Sequence, residues 1–140
     1  FFNNIFLGGP GLAFYDKPDI EFPVWIDANV YANGAEPYSQ ETNFIKADKE
    51  VQINLDKKED SIIISLRGFP DLTDLKTPLV TTKLLGNAKL PDVPFNNYDG
   101  TALIVDVDYF GQTRTSAAPT AGPFDAVTEI QKLKVYPKVK

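Results

Sequence analysis

The feature that most constrains this chain is a series of short apolar runs, each ended after a few residues by glycine, proline or asparagine. Residues 2–7, 12–15 and 24–31 form three such runs, and Gly8-Gly9-Pro10-Gly11 separates the first two. The runs are rich in Val, Ile, Phe and Tyr, which favour extended backbone. Because 11 Pro and 9 Gly interrupt only 140 residues, the pattern predicts an all-β protein with no helix beyond a single turn at residues 71–76.

Composition excludes several classes of function. With 43% apolar residues the chain can bury the core of one globular domain. It contains neither Cys nor His, which excludes disulfides, Cys/His zinc sites and Ser-His or Cys-His catalytic pairs. No run is long enough to span a membrane. No Lys/Arg cluster is interleaved with aromatics in a chain of net charge −5, so neither membrane nor nucleic acid is expected as a partner.

Four lysines alternate with apolar residues near the end of the sequence. They are Lys132, Lys134, Lys138 and Lys140. This alternation predicts the solvent-facing side of an edge strand, where lysines hinder unwanted pairing with other chains.

Asparagines lie inside or beside the first apolar runs. An Asn within a strand is costly unless its amide is paired, and stacked equivalent turns allow such amides to bond to one another. Asn4 and Ile26 are 22 positions apart, close to the length of one coil of a parallel β-helix. Residues 1–46 are therefore predicted to form terminal β-helix-like coils.

Residues 51–66 have the pattern of an antiparallel hairpin. Apolar and polar residues alternate on both arms, and the charged residues 56–60 supply the turn. The apolar face consists of Val51, Ile53, Leu55, Ile62, Ile64 and Leu66. We expect residues 47–140 to form an antiparallel, β-sandwich-like subdomain and cap that packs as one unit with residues 1–46.

Four short stretches resemble the final coils and closing segment of right-handed parallel β-helix proteins of the pectate lyase-like superfamily. Residues 3–8 are similar to the N-N-I-F-x-G strand of those coils, and residues 27–34 to the coil that follows. Residues 97–114 contain D-Y-F-G-x-x-R, and residues 121–124 resemble the short G-P-F element that comes after it. Together with their flanks, these stretches cover about half of the chain.

The resemblance implies a carbohydrate-active protein, either a polysaccharide lyase or a glycoside hydrolase, that is secreted, periplasmic or located on the cell surface. Its partner would be a polysaccharide or oligosaccharide. No catalytic motif of the superfamily matches these residues, so none is assigned a catalytic role, and whether the chain is an enzyme stays open. Phe1 and Phe2 already have the character of a strand. This predicts an upstream β-helix polypeptide that the chain caps at its C-terminal end.

Two other functions stay open from the sequence. The chain is compatible with an independent β-sandwich carbohydrate-binding module, if the hairpin and the later strands close into two sheets with exposed aromatics. It is also compatible with a non-catalytic surface or adhesion protein of the same fold, because a fold does not determine a function.

The stretch that carries D-Y-F-G-x-x-R predicts a structural clasp. Asp99-Gly100 suits a tight turn, and Gly111 suits the turn after a strand. The guanidinium group of Arg114 can bind a carboxylate of its own segment or free carbonyl groups at the last coil.

Asp106 and Asp108 belong to the same predicted clasp and, in a strand, lie on one face. An ion-pair network with Arg114 is the commonest arrangement for such carboxylates. Their separation is also compatible with a shared calcium ion or with the acid/base pair of a glycosidase. No other cofactor is expected.

A mixed aromatic and polar set in the first third predicts a sugar-binding surface. Aromatic rings stack on sugar rings, and carboxylate and amide groups bond to hydroxyls. The candidates are Trp25, Asp27, Asn29, Tyr31 and Tyr38. The alternative is that Trp25 lies in the core, the commoner position for a lone Trp among strands. Glu36 and Glu41 are expected to be solvated loop residues.

Overall fold

The computed structural model describes residues 1–17, 23–114, 119–125 and 130–136. Strands predominate in these ranges, and the all-β prediction is confirmed. In chain order the elements are β1 (Ile5–Leu7), a 3-10 helix (Ala13–Asp16), β2 (Asn29–Ala32), β3 (Phe44–Lys46), β4 (Gln52–Lys57), β5 (Ile62–Arg67), α1 (Thr82–Leu85), β6 (Asn87–Ala88), β7 (Val93–Pro94) and β8 (Ile130–Tyr136).

Strands β1, β2 and β3 form a parallel sheet in that order. Ile5 pairs with Val30, which pairs in turn with Ile45. The first repeat is therefore 25 positions long and the second 15. The predicted 22-residue repeat from Asn4 to Ile26 is wrong, because the register places Asn4 beside Asn29.

The central strand of the parallel sheet, β2, is buried on both faces. On one face Ile5, Val30 and Ile45 form an aliphatic ladder, in which Val30 is fully buried. This ladder is covered by Leu72, Leu75 and Ala121. On the other face the ring of Phe6 stacks on that of Tyr31, with centroids 5.3 Å apart. Each large apolar side chain buried in this way stabilises the fold by about 1.5–3 kcal/mol.

Strands β4, β5 and β8 form an antiparallel sheet in that order. The predicted hairpin is confirmed: β4 and β5 pair along their whole length, and the Lys58 amide donates to the Ser61 carbonyl at 2.8 Å to close the turn. β8 pairs with the other edge of β5, and Lys134 on it is exposed. Lys138 and Lys140 lie outside the described residues.

Two helical segments of four residues each occur, and neither lies at residues 71–76, where the sequence predicted a single turn. The 3-10 helix occupies most of the apolar run at residues 12–15, and α1 lies at Thr82–Leu85. Thr81 caps α1, since its hydroxyl accepts from the Leu84 amide at 3.1 Å, and Gly86 follows its last residue. Among the described residues, none of the helices is long and apolar enough to cross a bilayer.

The strand predicted through Asp106 and Asp108 is not formed. This part of the chain makes only isolated bridges, which join Thr81 to Ile104 and Val107 to Thr113. The reason is that the backbone reverses immediately after Val107, through a turn closed by the Gly111 amide and the Asp108 carbonyl. The strand alternation that would place both carboxylates on one face therefore does not apply.

Residues 1–46 contact later, non-strand parts of the chain. The amide of Gly122 donates to the carbonyl of Asn3 at 2.7 Å, and a Cβ at Gly122 would overlap the side chain of Ile5. Asn43 Nδ2 donates to the Lys76 carbonyl at 2.8 Å. The domain boundary proposed between residues 46 and 47 stays a prediction.

Candidate functional site

Trp25 lies on the surface. Its side chain is 62% exposed, so the alternative that it belongs to the core is wrong. It lines an open cleft of about 230 Å³. The other lining residues are Phe1, Phe2, Pro23, Val24, Leu85 and Phe95. Exposed rings on the wall of an apolar cleft suit stacking against a sugar ring.

The five predicted sugar-binding residues do not share one surface. Asn29 and Tyr31 are fully buried, whereas Asp27 and Tyr38 are half-buried. Tyr38 packs against the buried cluster that contains Tyr31. A buried side chain cannot touch a sugar at the surface, so a sugar-binding role stays a prediction only for Trp25, Asp27 and Tyr38.

A change of backbone direction at Ala28 separates the five predicted sugar-binding residues into two groups. This residue has a φ of +59°, a left-handed conformation that is uncommon for a residue other than glycine. Its amide donates to the Asn43 carbonyl at 2.8 Å, which holds the kink in place. Because β2 begins only at Asn29, the alternation that would put Trp25 on the same face as Asn29 is interrupted.

Asn29, Tyr31 and Glu41 form a buried hydrogen-bonded network. Glu41 Oε1 accepts from the backbone amide of Asn29 at 3.2 Å and from its Nδ2 at 2.8 Å. Glu41 Oε2 accepts from the Tyr31 hydroxyl at 2.5 Å. Asn29 Oδ1 accepts from the backbone amide and the Nδ2 of Asn4, at 3.0 and 3.1 Å. The predicted pairing of stacked asparagine amides therefore occurs between Asn4 and Asn29.

Glu41 is the residue of this network that sequence reasoning missed. The prediction that it is solvated is wrong, because its side chain is only 4% exposed. Its amide donates to the Tyr38 carbonyl at 2.9 Å, and this turn folds the loop back over the sheet. Glu36 is exposed as predicted and pairs with Lys46 at 2.6 Å.

The network is structural in character. Burial raises the pKa of the Tyr31 hydroxyl above its ordinary value, and the hydrogen bond to Glu41 raises it further. The hydroxyl therefore stays protonated and serves as a donor. Because Asn29 and Tyr31 are fully buried, these side chains hold neighbouring strands together instead of facing a ligand.

The segment that carries D-Y-F-G-x-x-R forms a compact turn structure. Asp99 Oδ1 accepts from the hydroxyl and the amide of Thr101, at 2.7 and 3.0 Å, and these bonds lower the pKa of Asp99. The amide of Gly100 donates to the Asn97 carbonyl at 3.0 Å and completes the turn. Further along, the rings of Phe110 and Phe124 stack 5.7 Å apart, so the D-Y-F-G and G-P-F elements pack together.

Arg114 binds carbonyl groups. Its Nε donates to Val107 at 3.1 Å, its Nη1 to Thr120 at 2.8 Å and its Nη2 to Gly122 at 2.7 Å. The side chain is buried, at 9% exposure. The sequence left two kinds of partner open for Arg114, carboxylates and carbonyl groups, and the structure shows carbonyl groups. The amide of Gly122 also donates to the carbonyl of Asn3, just before β1. The Arg114 guanidinium therefore links this turn to the start of the parallel sheet.

The Asp108 carboxylate accepts from backbone amides. Oδ1 accepts from Phe110 at 2.8 Å and from Gln112 at 2.9 Å, and Oδ2 accepts from Asp125 at 3.4 Å. Burial alone would raise the pKa of Asp108, but these amides and the charge of Arg114 outweigh it and lower the pKa. An ionised carboxylate held in a turn suits a structural role better than that of a general acid.

The calcium site predicted at Asp106 and Asp108 stays a prediction. Asp106 is exposed, whereas Asp108 is buried and engaged with the amides just described. In the part of the chain that the structure describes, no three acidic side chains come together as a metal-binding group.

Replacement of Arg114 by alanine is expected to lower the free energy of unfolding by about 2–3 kcal/mol, because three carbonyl groups lose a charged donor. Arg114→Lys should recover only part of this, since a single ammonium cannot reproduce the planar fork. Urea unfolding followed by circular dichroism gives the values. Arg67→Ala is the control: Arg67 is exposed, so its loss should cost less than about 0.5 kcal/mol.

Comparison with known proteins gives a fold likeness. No protein-family model and no curated protein matches the sequence. A solved structure described as the complex of XylC with xylose is similar, with a TM-score of 0.77 and 24% sequence identity. The alignment covers 97% of this chain and 26% of that one, so the chain spans about a quarter of the length of the structure it matches. At this level of identity the likeness concerns the fold.

Proposed function

We propose that this chain is the terminal region of a right-handed parallel β-helix protein that acts on carbohydrate, and that it closes the stack of coils without a catalytic centre of its own. The observation that carries the proposal is the covered aliphatic ladder. Ile5, Val30 and Ile45 occupy equivalent positions in successive parallel strands, as in stacked coils. Later parts of the chain, represented by Leu75 and Ala121, pack over this ladder.

A covering segment of this kind is what an end of a parallel stack requires. An uncovered terminal coil would expose its apolar interior and unpaired backbone groups, and would promote association with other chains. Within the described ranges β3 is the last parallel strand, and Asn43, just before it, is bonded to the carbonyl of Lys76 in the covering part. β1 stands at the opposite end of the sheet order. We place the upstream coils of the whole protein next to β1.

The proposed activity of the whole protein is hydrolysis or eliminative cleavage of a polysaccharide outside the cytoplasm. The support is the resemblance of the D-Y-F-G-x-x-R and G-P-F stretches to closing segments of such enzymes, together with the fold likeness to XylC, whose structure was solved with xylose. We assign the catalytic residues and the polysaccharide-binding groove to the upstream part. Among the described residues of the present site, no side chain combines exposure with a shifted pKa suited to acid/base catalysis.

A second function, an independent carbohydrate-binding module, is favoured by one observation: the exposed ring of Trp25 in an apolar cleft with Phe95. The two proposals differ in what the isolated chain binds. A cap requires no affinity for sugar, whereas a module should bind a sugar through this cleft.

The fluorescence of Trp25 tests this choice, because Trp25 is the one tryptophan of the chain. For a cap, titration with xylose and xylo-oligosaccharides should leave the emission without saturable change up to about 10 mM, where a binding free energy of only about −2.7 kcal/mol would still be detected. A saturable change that Phe95→Ala abolishes and Leu90→Ala preserves would support the module instead. Leu90 is a fair control because it is 85% exposed and does not line the cleft.

Intact-mass measurement on the protein from its native source tests the cap itself. The cap proposal expects these residues to occur with an upstream polypeptide, either continuous with it or bound to it in native spectra. Detection of the 15.5 kDa chain alone, or only of multiples of it, would contradict the proposal.

A further inference from the structure

The sequence contains one Asn-Gly dipeptide, Asn33-Gly34, directly after β2. The Ala35 amide donates to the Ala32 carbonyl at 3.0 Å and closes a tight turn around this pair. Both central residues are left-handed, with a φ of +55° for Asn33 and +85° for Gly34, as in a type I′ turn. Asn and Gly adopt this conformation more readily than other residues. The dipeptide therefore suits the turn, and both of its residues are exposed.

The Asn33 side chain takes the place of a neighbouring strand beside Val51, just before β4. Its Oδ1 accepts from the Val51 amide and its Nδ2 donates to the Val51 carbonyl, both at 2.8 Å. Val51 is only 1% exposed, so water cannot satisfy these two backbone groups while the segments stay together. The Asn33 carboxamide is therefore a two-point link between the end of β2 and the start of the β4-β5 hairpin.

An asparagine followed by glycine is chemically labile. The backbone nitrogen of Gly34 attacks Cγ of Asn33, so that an N–Cγ bond forms and the Cγ–Nδ2 bond breaks. The Nδ2 group takes up the proton of the Gly34 amide and leaves as ammonia. Water then opens the five-membered imide, and the product is aspartate or isoaspartate. Glycine favours this reaction because it has no Cβ to crowd the ring.

The surroundings of Gly34 leave its amide available for this reaction. Within the described residues this amide makes no hydrogen bond. A Cβ at Gly34 would meet nothing within 4 Å, so the nitrogen is not crowded either. An open cleft of about 500 Å³ borders Asn33 and residues 50–54. Water, which the second step consumes, reaches the side chain through this cleft.

We propose that Asn33 is a deamidation site, at which the link to Val51 is broken irreversibly. The two bonds to Val51 hold Cγ in place, so the reaction proceeds from molecules in which Asn33 has released Val51. The product carries a carboxylate oxygen in place of Nδ2. An ionised carboxylate accepts hydrogen bonds but donates none, and it repels the Val51 carbonyl that Nδ2 had bound. Each temporary release can therefore be converted into a permanent one.

The other candidate sites lack this combination of features. All other asparagines precede a residue with a side chain, as Asn54 does although it is exposed. Asp99-Gly100 could form the same imide. However, hydrogen bonds from Thr101 lower the pKa of Asp99 and keep its carboxylate ionised, which makes it a poor target for the Gly100 amide. Asn33 is therefore the site expected to react first.

Peptide mapping by mass spectrometry tests the site. The chain is aged in mildly alkaline buffer, and the conversion of each asparagine is followed over time. Asn33 should convert at least about tenfold faster than the exposed Asn54. Urea below the unfolding transition should raise this ratio, because it increases the population in which Asn33 has released Val51. Similar rates at the two residues, or a ratio that urea leaves unchanged, would overturn the proposal.

Hydrogen exchange tests whether the modification breaks the link. Asn33→Asp reproduces one product, and the Val51 amide should then exchange at least about tenfold faster than in the unmodified chain. Asn54→Asp is the matched control, because it makes the same change of charge on β4 at an exposed side chain. It should leave the exchange of Val51 unchanged. If Asn33→Asp fails to fold, the deamidated fraction of the aged chain, isolated by ion exchange, replaces it. Unchanged exchange of Val51 in that material would refute the proposal.

Discussion

Replacing Glu41 by alanine is expected to lower the free energy of unfolding by about 3–5 kcal/mol, the cost of leaving buried groups without their charged partner. The substitution removes the acceptor of three donors, two from Asn29 and one from Tyr31. All three groups lie at positions that are closed to solvent. Water therefore cannot replace the carboxylate without opening the sheet. Urea unfolding followed by far-ultraviolet circular dichroism measures the loss.

Glu36→Ala is the matched control, because it removes the same side chain from the same loop. Glu36 pairs with Lys46 at 2.6 Å, but both side chains are about half exposed. An exposed pair of this kind contributes only about 0.2–1 kcal/mol. If Glu41→Ala cost no more than Glu36→Ala, the network would not be a significant source of stability. Glu41→Gln should fall between the two, since its amide oxygen can still accept from Asn29.

The same network shows how far the sequence could predict this fold. Asparagines within apolar runs indicated stacked coils with paired amides, and Asn4 and Asn29 are paired. The burial of Glu41 had no such local signal. It lies in a polar loop with Pro37, and only the return of that loop over the sheet brings its carboxylate to Asn29 and Tyr31. Contacts made by tertiary folding are not encoded in the pattern of neighbouring residues.

The errors in secondary structure have different origins. For α1 a local signal existed, because Thr81 precedes the helix and Gly86 follows it, which is a common arrangement of helix caps. For Trp25 no signal existed. The left-handed conformation of Ala28 cannot be anticipated from an alanine, and it is this residue that separates Trp25 from the face of β2. The kink at Ala28 therefore divides the predicted sugar-binding set, with Asn29 and Tyr31 buried in β2 and Trp25 on the surface.

Gly11→Ala is expected to lower the free energy of unfolding by about 3–4 kcal/mol, because a left-handed backbone and a close approach meet at this residue. Gly11 has a φ of +60°, and a Cβ there would lie 2.6 Å from the backbone nitrogen of Glu36 and overlap its carbonyl oxygen. That oxygen accepts from the amides of Leu12 at 2.9 Å and Ala13 at 3.2 Å. The methyl group must push the two segments apart and break both bonds.

The variant Gly9→Ala distinguishes the cost of the left-handed backbone from the cost of the close approach to Glu36. Gly9 has a similar φ of +70°, but a Cβ there would meet nothing within 4 Å. It should cost only the strain of the left-handed conformation, about 1–2 kcal/mol. The difference between the two variants in urea unfolding then measures the close approach of residues 11–13 to Glu36, which covers the Tyr31 side of the parallel sheet. Equal costs for Gly11→Ala and Gly9→Ala would mean that this contact contributes nothing to the stability of the fold.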